Sequence, residues 1–428
     1  MNHVNVAIAG LGTVGVGTID ILQRQYNKIQ DKLGVSLQIV AVCARSKRDR
    51  GIDLSGYDYV EDVLSLATRE DVDIFVELIG GADGIALQAT KLALAHGKHV
   101  VTANKAMIAE HGFELASLAE KNGVNLRFEA AVAGGIPILK VLQEGLIGNE
   151  VRKISGILNG TCNYILSAMS EESTEFSVML QRAQDAGYAE ADPSFDIDGI
   201  DAAHKIAILA ALAFGTKPNF AAVSVSGIRD ICIDDINYAR ELGFRVKLLA
   251  VAEMVNEKLQ QRVSLALVPA DEPLAAVDDV FNAVLVDAQP VGHVMIDGRG
   301  AGAGPTGSAV VADIADVARG AKLPVFGKPS QHLREALEVG EDIGTGAFYV
   351  RLLVRDEPGV LAAITKIFAE NHISIDSVIQ KNRAPGEYVP LVLLTHEASR
   401  VALFKATSRI AEQSVVLEQP VVMEIQRP

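Results

Sequence analysis

Apolar and polar residues alternate along the first part of the chain in blocks that predict a sheet covered by helices. Short apolar runs typical of buried strands occupy residues 4–9, 37–43, 73–79, 99–102 and 124–128. Segments with helical periodicity, such as residues 85–95 and 107–121, separate these runs. Strands that alternate with helices favour a parallel sheet, and such sheets bind ligands at the carboxyl ends of their strands.

A glycine-rich turn, GLGTVG, follows the first predicted strand and precedes the first helical segment. Dinucleotide-binding folds use this order of strand, glycine turn and helix. The first glycine permits a tight turn, the second lets the backbone approach a pyrophosphate, and the third allows close packing of helix on strand. A glycine turn with a purely structural role is the alternative. The predicted cofactor contacts are Gly10, Leu11, Gly12, Thr13, Val14 and Gly15.

The end of the second predicted strand lacks the acidic residue that NAD-specific proteins place there. Ala44 and Arg45 occupy these positions, and Ser46, Lys47 and Arg48 follow. Guanidinium groups pair well with phosphate, so Arg45 and Ser46 are predicted to lie beside the 2′-phosphate of NADP(H). NADP(H) is therefore the expected cofactor, with NAD(H) possible, and an exposed basic loop is the alternative.

Three charged residues lie where the pattern predicts strand ends or buried helix. Lys105, in VVTANKAM, follows an apolar strand and begins the next helix, near the expected nicotinamide end of the cofactor site. Asp201 and Lys205 are four residues apart in an otherwise apolar helix, so they share one helical face. A surface lysine and an exposed ion pair are the alternatives. Because the apolar neighbours indicate burial, we predict that these residues are functional.

The C-terminal part of the chain has a separate pattern of strand, helix, strand, strand, helix and strand. The predicted elements are residues 348–354, 360–370, 375–381, 388–394, 400–412 and 415–422, with a hairpin at residues 384–387. This βαββαβ order is ferredoxin-like.

The length predicts more than one domain, because 428 residues exceed what one hydrophobic core usually serves. We predict an α/β protein that begins with a Rossmann-type dinucleotide-binding domain at residues 1–130. A second domain, of α+β class, follows at residues 131–304. A linker at residues 321–346 then leads to a final domain at residues 347–428.

Charge, cysteine content and the absence of long apolar runs argue against several classes of protein. A formal net charge of −15 argues against nucleic acid as a partner. The three cysteines are widely spaced, which suggests neither a disulfide framework nor a CxxC metal site. The sequence contains no signal-like segment and no long uncharged apolar run, so we expect no membrane association and a cytoplasmic location.

Six motifs in order resemble the homoserine dehydrogenase family over nearly the whole chain. They are GLGTVG, VVTANK, EAAVAGGIPIL, ILNGTCNYIL, GYAEADPSFDIDGIDAAHK and RGAGAGPTGSAVVADI. The resemblance implies the reversible NAD(P)H-dependent conversion of L-aspartate 4-semialdehyde to L-homoserine, on the route to threonine, isoleucine and methionine. It also implies that a helix at about residues 305–320 completes the dinucleotide-binding domain, that residues 131–304 bind substrate and form the dimer contact, and that the chain assembles as a homodimer or homotetramer. Because the glycine motif begins within ten residues of the N-terminus, we expect a monofunctional chain with no aspartate kinase segment before it.

The resemblance assigns roles to several residues in the substrate site. Lys205 matches the acid/base lysine of the family, and Lys105 matches a second lysine beside the substrate and nicotinamide. Glu190 and Asp201 match substrate ligands, and Asp192 is a neighbouring candidate.

Further residues match cofactor and metal positions of the family. Gly187 and Gly304 belong to the implied cofactor site. A structural sodium ion is implied at the Glu129 carboxylate and at backbone carbonyls; the alternative is that Glu129 caps the helix that starts near Pro137. The implied carbonyl ligands belong to Val132, Gly134 and Ile136.

The segment RDEPGVLAAI resembles the start of an ACT domain, an amino-acid-sensing module. Such modules commonly hold a ligand at the strand-to-helix turn, here residues 356–361, and at Asn371. L-threonine is the expected effector, and an ACT unit that only assembles subunits is the alternative. Two other function classes stay open: another Rossmann-fold amino-acid semialdehyde reductase, and a non-catalytic sensor of NADP and amino acids.

Overall fold

A computed structural model describes residues 3–335, 344–381 and 386–426. The N-terminal part alternates strands and helices as the hydrophobic pattern predicts. Its elements are β1 (His3–Ala9), α1 (Thr13–Arg24), α2 (Tyr26–Leu33), β2 (Ser36–Cys43), β3 (Asp58–Val60), α3 (Val63–Thr68), β4 (Ile74–Glu77), α4 (Ile85–Ala95), β5 (His99–Thr102), α5 (Lys105–Lys121) and β6 (Leu126–Arg127).

These strands form one parallel sheet in the order β3-β2-β1-β4-β5-β6. The strand order reverses between β1 and β4, so the loops that follow these two strands open on one crevice. The predicted parallel sheet is confirmed. β6 is shorter than the predicted strand at residues 124–128, and β3 had no predicted counterpart.

The middle part of the chain combines helices with long antiparallel strands. Its elements are α6 (Ile138–Lys140), β7 (Glu150–Ile157), α7 (Gly160–Glu172), α8 (Phe176–Asp185), α9 (Ser194–Ile197), α10 (Ile200–Phe214), β8 (Ser224–Val225), α11 (Ile233–Glu241), β9 (Phe244–Val255), β10 (Lys258–Pro269), β11 (Phe281–Gln289), β12 (Gly292–Arg299) and α12 (Ala303–Ala318). The very apolar α10 is buried along almost its whole length and carries Asp201 and Lys205 into the interior.

Helix α12 returns to the N-terminal sheet and packs beside α1. Val310 and Ile314 belong to the same buried cluster as Val6 and Ile8 of β1. A Cβ added to Gly17 of α1 would lie 2.2 Å from the carbonyl oxygen of Ala303, so the two helices meet where no side chain fits.

The C-terminal elements confirm the predicted βαββαβ order. They are β13 (Thr345–Arg355), α13 (Val360–Glu370), β14 (Ile375–Ile379), β15 (Tyr388–Thr395), β16 (Ala398–Ser399), α14 (Arg400–Ala411) and β17 (Val421–Ile425). The four main strands are ordered β17-β13-β15-β14, as in a ferredoxin-like fold.

One predicted C-terminal element was wrong in its position, and two predicted segments lie partly outside the described residues. The last strand spans Val421–Ile425, not residues 415–422. Pro420 cannot donate a ladder hydrogen bond, so regular pairing begins after it. Residues 384 and 385 of the predicted hairpin and residues 336–343 of the predicted linker lie outside the described part.

Within the described residues, the middle and C-terminal strands share a single sheet. Its order is β12-β11-β7-β9-β10-β17-β13-β15-β14, with β17 parallel to β10. The middle and C-terminal parts are therefore joined by backbone hydrogen bonds. A search of the described helices finds none with the length and apolar character needed to span a membrane.

Candidate functional site

A cleft of about 620 Å³ opens between the glycine turn, the loops after β5 and β7, and the start of α12. Its walls combine backbone from glycine-rich segments with a small group of charged side chains. The charged and amide side chains of the lining are Lys105, Asn159, Glu190, Asp196, Asp201, Lys205, Asn282 and Arg299.

The glycine turn has the geometry that the sequence predicts. Gly10 has a φ of +104°, and a Cβ there would lie 2.3 Å from the carbonyl oxygen of Leu78. A Cβ on Gly15 would lie 2.0 Å from the carbonyl oxygen of Gly10, whereas a Cβ on Gly12 would meet open space. That open space at the N-terminus of α1 fits a pyrophosphate. Thr13 and Val14 line the cleft beside it.

Buried polar groups fix the start of α5 and hence Lys105. Glu77 at the end of β4 accepts hydrogen bonds from the amides of Ile79 and Gly80 and from the Thr102 hydroxyl. Asn104 caps α5 by accepting from the amide of Met107, at 3.1 Å, and its own amide group donates to the carbonyl of Gly81. Lys105 is therefore the first residue of a helix that two strand-end loops hold in place.

The structure brings both predicted lysines to one carboxylate. Lys105 Nζ lies 2.8 Å from Asp201 Oδ1, and Lys205 Nζ donates to Asp201 Oδ2 at 2.8 Å. Lys205 also donates to the carbonyl oxygen of Leu158 at 2.6 Å, directly after β7. Lys105 is about one third exposed, whereas Asp201 and Lys205 are buried. An exposed i,i+4 ion pair, the alternative for Asp201 and Lys205, does not fit this burial.

Asn159 and Asp196 complete this cluster, and the sequence analysis did not select them. Asn159 Nδ2 donates to Asp201 Oδ2 and to Asp196 Oδ1, both at 2.8 Å. Its Oδ1 accepts from the amide of Cys162 and so caps α7. The available signal was the position of Asn159 between an apolar strand and a helix, which predicts a cap but not a link between two carboxylates.

Burial and neighbouring charges shift the pKa values in this cluster in opposite directions. Burial raises the pKa of Asp201, but the charges of Lys205 and Lys105 outweigh it and hold that pKa well below its usual range. Burial lowers the pKa of Lys205, against the opposing effect of Asp201. Burial and the Asp201 charge both raise the pKa of Asp196. The cluster thus holds a permanent carboxylate beside a lysine that loses its proton more readily than a free one.

The other predicted substrate and cofactor residues lie at or near the cleft. Gly187 and the exposed Glu190 line it. Asp192 does not line it, and its carboxylate accepts from the amide of Ser194 at the start of α9. Gly304 lies in the first turn of α12 outside the lining, although Gly302 and Thr306 on either side of it belong to the lining. The roles of these residues stay predictions.

The basic loop after β2 is organised by a residue that the sequence analysis did not name. Arg45 and Ser46 are exposed. Arg50 donates through Nε to the carbonyl oxygen of Leu11 at 2.9 Å and through its terminal nitrogens to those of Arg48 and Ser46. The Arg50 guanidinium therefore ties the basic loop to the glycine turn.

The buried carboxylate of Glu129 caps the helix that starts near Pro137, which was the alternative to a metal site. Its oxygens accept from the amides of Leu139, at 2.9 Å, and Lys140, at 3.0 Å. Its own amide donates to Asp313 Oδ2 on α12 at 2.8 Å. Burial, followed by the charge of Asp313, raises the pKa of Glu129 to about 8, and burial raises that of Asp313 to about 7. Two carboxyl groups thus lie together, and the charge of Lys140, with that of Arg127 for Asp313, offsets the effect of burial only in part.

Family models match three successive parts of this chain. The homoserine dehydrogenase model matches residues 137–315, and the model of the homoserine dehydrogenase NAD-binding domain matches residues 10–129. The ACT domain model matches residues 348–412.

Curated proteins and solved structures give the same result, some over nearly the whole chain and one over three quarters of it. A homoserine dehydrogenase from Neisseria gonorrhoeae is 44% identical over 430 residues, which cover 99% of this chain and 98% of the relative. The crystal structure of a homoserine dehydrogenase from Thiobacillus denitrificans is similar at a TM-score of 0.94 and 39% identity, covering 99% of this chain and 98% of that one. A hyperthermophilic archaeal homoserine dehydrogenase in complex with NADPH is similar at a TM-score of 0.64 and 29% identity, covering 75% of this chain and 99% of that one.

Proposed function

Because this chain belongs to the homoserine dehydrogenase family of oxidoreductases, we propose that Lys105, Asp201 and Lys205 are the groups that convert L-aspartate 4-semialdehyde to L-homoserine. The observation that carries the proposal is the single buried carboxylate shared by two lysine ammonium groups at the wall of the cleft. Bound NAD(P)H supplies the hydride. The chain itself must then stabilise the negative charge that develops on the aldehyde oxygen.

Lys205 is placed to supply that charge stabilisation. An ammonium group has three N–H donors, and within the described part of the chain those of Lys205 have two acceptors, Leu158 O and Asp201 Oδ2. The third donor is available for the substrate oxygen in the cleft. Burial makes loss of the proton easier, so Lys205 can deliver it to the forming alcohol and regain it in the reverse direction. Asp201 keeps both ammonium groups oriented while this proton moves.

The substrate ammonium group requires carboxylate partners that are not already saturated. Both oxygens of Asp201 bind lysines, so we propose Glu190 and Asp196, which line the same cleft, for this role. Asp201 acts on the substrate mainly through the lysines. Asp192 lies farther along the same segment, where its carboxylate accepts from the amide of Ser194.

NADP(H) is the proposed cofactor, since the exposed basic loop has the charge to pair with a 2′-phosphate. The related archaeal enzyme binds NADPH, which supports the same choice here. We expect Arg45→Ala to weaken NADPH binding by about tenfold, as one charge-assisted phosphate contact is lost, and to leave NADH binding nearly unchanged.

The effect of Arg45→Ala on NADPH and NADH binding is measured from initial rates with aspartate semialdehyde and either cofactor. The control is Lys28→Ala on the exposed α2, away from the basic loop, which removes one positive charge elsewhere. Equal loss of affinity for both cofactors in Arg45→Ala would contradict the assignment. Absence of turnover with either cofactor would contradict the proposed reaction.

We also propose a structural sodium ion at Glu129 and the carbonyls of Val132, Gly134 and Ile136. Carboxylate and carbonyl oxygens are the ligands of hard cations, and the adjacent carboxyl groups of Glu129 and Asp313 would gain compensating charge. The residues present therefore fit the ion.

Sodium chloride is expected to raise the Tm of the protein above that in choline chloride of equal ionic strength, because the ion binds only the folded state. Differential scanning calorimetry at pH 9 measures the difference. Glu129→Gln should abolish it. An equal Tm in the two salts would favour the capping role alone.

The ACT domain supports a further proposal, feedback regulation by L-threonine. Added threonine should lower the rate of semialdehyde reduction in a saturable manner, measured from NADPH absorbance. An unchanged rate together with no binding by calorimetry would favour an ACT unit that only assembles subunits. We keep the expectation of a homodimer or homotetramer, which light scattering after gel filtration measures.

A further inference from the structure

Three side chains that can bind a metal ion lie together outside the lining of the cleft. Asp83 in the loop after β4 and Glu110 and His111 on α5 each offer one ligand atom, and these atoms all lie within 4.8 Å of one another. We call the three residues the carboxylate–histidine cluster. Within residues 3–335, 344–381 and 386–426, no other group of three or more histidine, cysteine or acidic side chains is as close.

The loop after β4 and the helix α5 hold this cluster in place. Asn104 donates from its side-chain amide to the carbonyl of Gly81 at 2.7 Å, which ties the loop to the start of the helix. His111 Nε2 lies 2.8 Å from Asp83 Oδ1. Glu110 directly precedes His111, so its side chain projects about 100° away around the helix. The spacing of the ligand atoms is therefore set by the fold before an ion binds.

A fourth metal-binding side chain, His204 of α10, faces the cluster. Its Nε2 lies 3.6 Å from Glu110 Oε1, which is too long for a hydrogen bond. Zinc binds imidazole nitrogen and carboxylate oxygen at about 2.1 Å, so two ligand atoms of one tetrahedral zinc ion lie roughly 3.4 Å apart. The separation of these two atoms is thus close to that of two ligands on one ion.

His204 is a buried group without a partner. It is 4% exposed, and neither ring nitrogen has a hydrogen-bond partner within the described part of the chain. The ring is stacked between Phe220, at a centroid distance of 4.1 Å, and Phe195, at 5.7 Å. Buried polar atoms nearly always have a partner, so an unpaired one points to a water molecule or an ion. An ion between His204 and Glu110 would give Nε2 the partner it lacks.

We propose that the carboxylate–histidine cluster and His204 together form a binding site for a divalent transition-metal ion, with zinc as the best match. Two imidazole and two carboxylate groups are typical ligands of Zn²⁺. Mg²⁺ and Ca²⁺ prefer oxygen ligands alone. The site is separate from the proposed sodium site at Glu129, and it does not depend on the proposed reaction.

A metal ion at this site would join the two parts of the chain that carry the active-site lysines. Glu110 and His111 lie on α5, the helix that begins with Lys105. His204 lies on α10 and directly precedes Lys205. The ion would therefore cross-link α5 to α10 beside the catalytic cluster.

Calorimetric titration of the full-length protein with zinc chloride tests the site, after dialysis against a chelator and then into a buffer that does not bind zinc. We expect one zinc ion per chain in the strongest binding step. Glu110 is exposed and His111 is half-buried, so neither substitution disturbs the core. Glu110→Gln and His111→Gln should each weaken zinc binding by about tenfold or more, because a ligand is lost.

His396→Gln is the matched control for loss of one histidine. His396 lies 3.7 Å from Asp376, an exposed pair of a histidine and one carboxylate, and the variant should bind zinc as the parent does. Parental zinc affinity in both Glu110→Gln and His111→Gln would place the ion elsewhere and overturn the site. A parent protein that takes up no zinc would overturn it as well.

X-ray absorption at the zinc edge tests the part of His204 in the parent protein, without any substitution. We expect the spectrum of two imidazole ligands, one from α5 and one from α10. A spectrum with a single imidazole would overturn the cross-link between the two helices. His204→Phe keeps an aromatic ring between Phe195 and Phe220, and this variant, once circular dichroism shows that it is folded, should bind zinc about tenfold or more weakly.

Discussion

Replacement of Lys205 by alanine is expected to lower kcat for semialdehyde reduction by about 10²-fold or more, with a small change in the KM for NADPH. The reason is the position of its ammonium group, held by Leu158 O and Asp201 at the wall of the cleft. Among the described residues, Lys105 also bonds to Asp201, but it is one third exposed and therefore less able to take over this role. Steady-state rates in both reaction directions measure the effect.

The fold should survive this substitution. Asp201 keeps its contacts with Lys105 and Asn159, so no buried carboxylate is left without a partner. Circular dichroism and Tm check this, and Lys91→Ala, at an ion pair with Glu114 away from the cleft, is the control for loss of one lysine. A Lys205→Ala enzyme with parental kcat would remove this lysine from the mechanism.

Asp201→Asn is expected to have the second-largest effect on semialdehyde reduction. It should change both kcat and the pH dependence of kcat. The Asp201 charge opposes the effect of burial on the pKa of Lys205. Without that charge the pKa of Lys205 falls further, so Lys205 loses its proton at a lower pH. The alkaline limb of semialdehyde reduction should therefore move to lower pH, and kcat at neutral pH should fall by about 10²-fold because the two lysines lose their common partner.

The pH profile of kcat separates this role from simple loss of structure. A merely destabilised protein would lose activity without a shift of the limb. Asp201→Glu should restore part of the rate and return the limb toward its parental position. An unshifted limb in Asp201→Asn, with a folded protein, would show that Asp201 does not control the protonation of Lys205.

Local sequence signals were sufficient to select the glycine turn and the three residues Lys105, Asp201 and Lys205. The strand-end position identified Lys105, and the i,i+4 spacing in an apolar helix identified Asp201 and Lys205. The glycine turn was equally local, since strand, turn and helix are consecutive. These features depend on a few neighbouring residues, and the structure confirms the elements that carry them.

Residues that act through distant contacts were not predictable from spacing. Arg50 looks like one more cation in a basic segment, and only the fold shows its bond to the carbonyl of Leu11. Asp196 is one of several acids in its segment, and only the fold places it beside Asn159. The last ACT strand was misplaced because residues 415–417 are apolar enough for a strand but Pro420 interrupts the pairing.

The return of α12 to the N-terminal sheet has a consequence for the synthesis of this protein. The buried face formed by Val6, Ile8 and Val76 is covered by Val310 and Ile314. A growing chain emerges N-terminus first, so this apolar face stays without its cover until α12 has been translated. During that interval the nascent sheet exposes the kind of surface that chaperones bind. A ribosome-bound chain stalled before α12 should therefore be more sensitive to protease than one stalled after it.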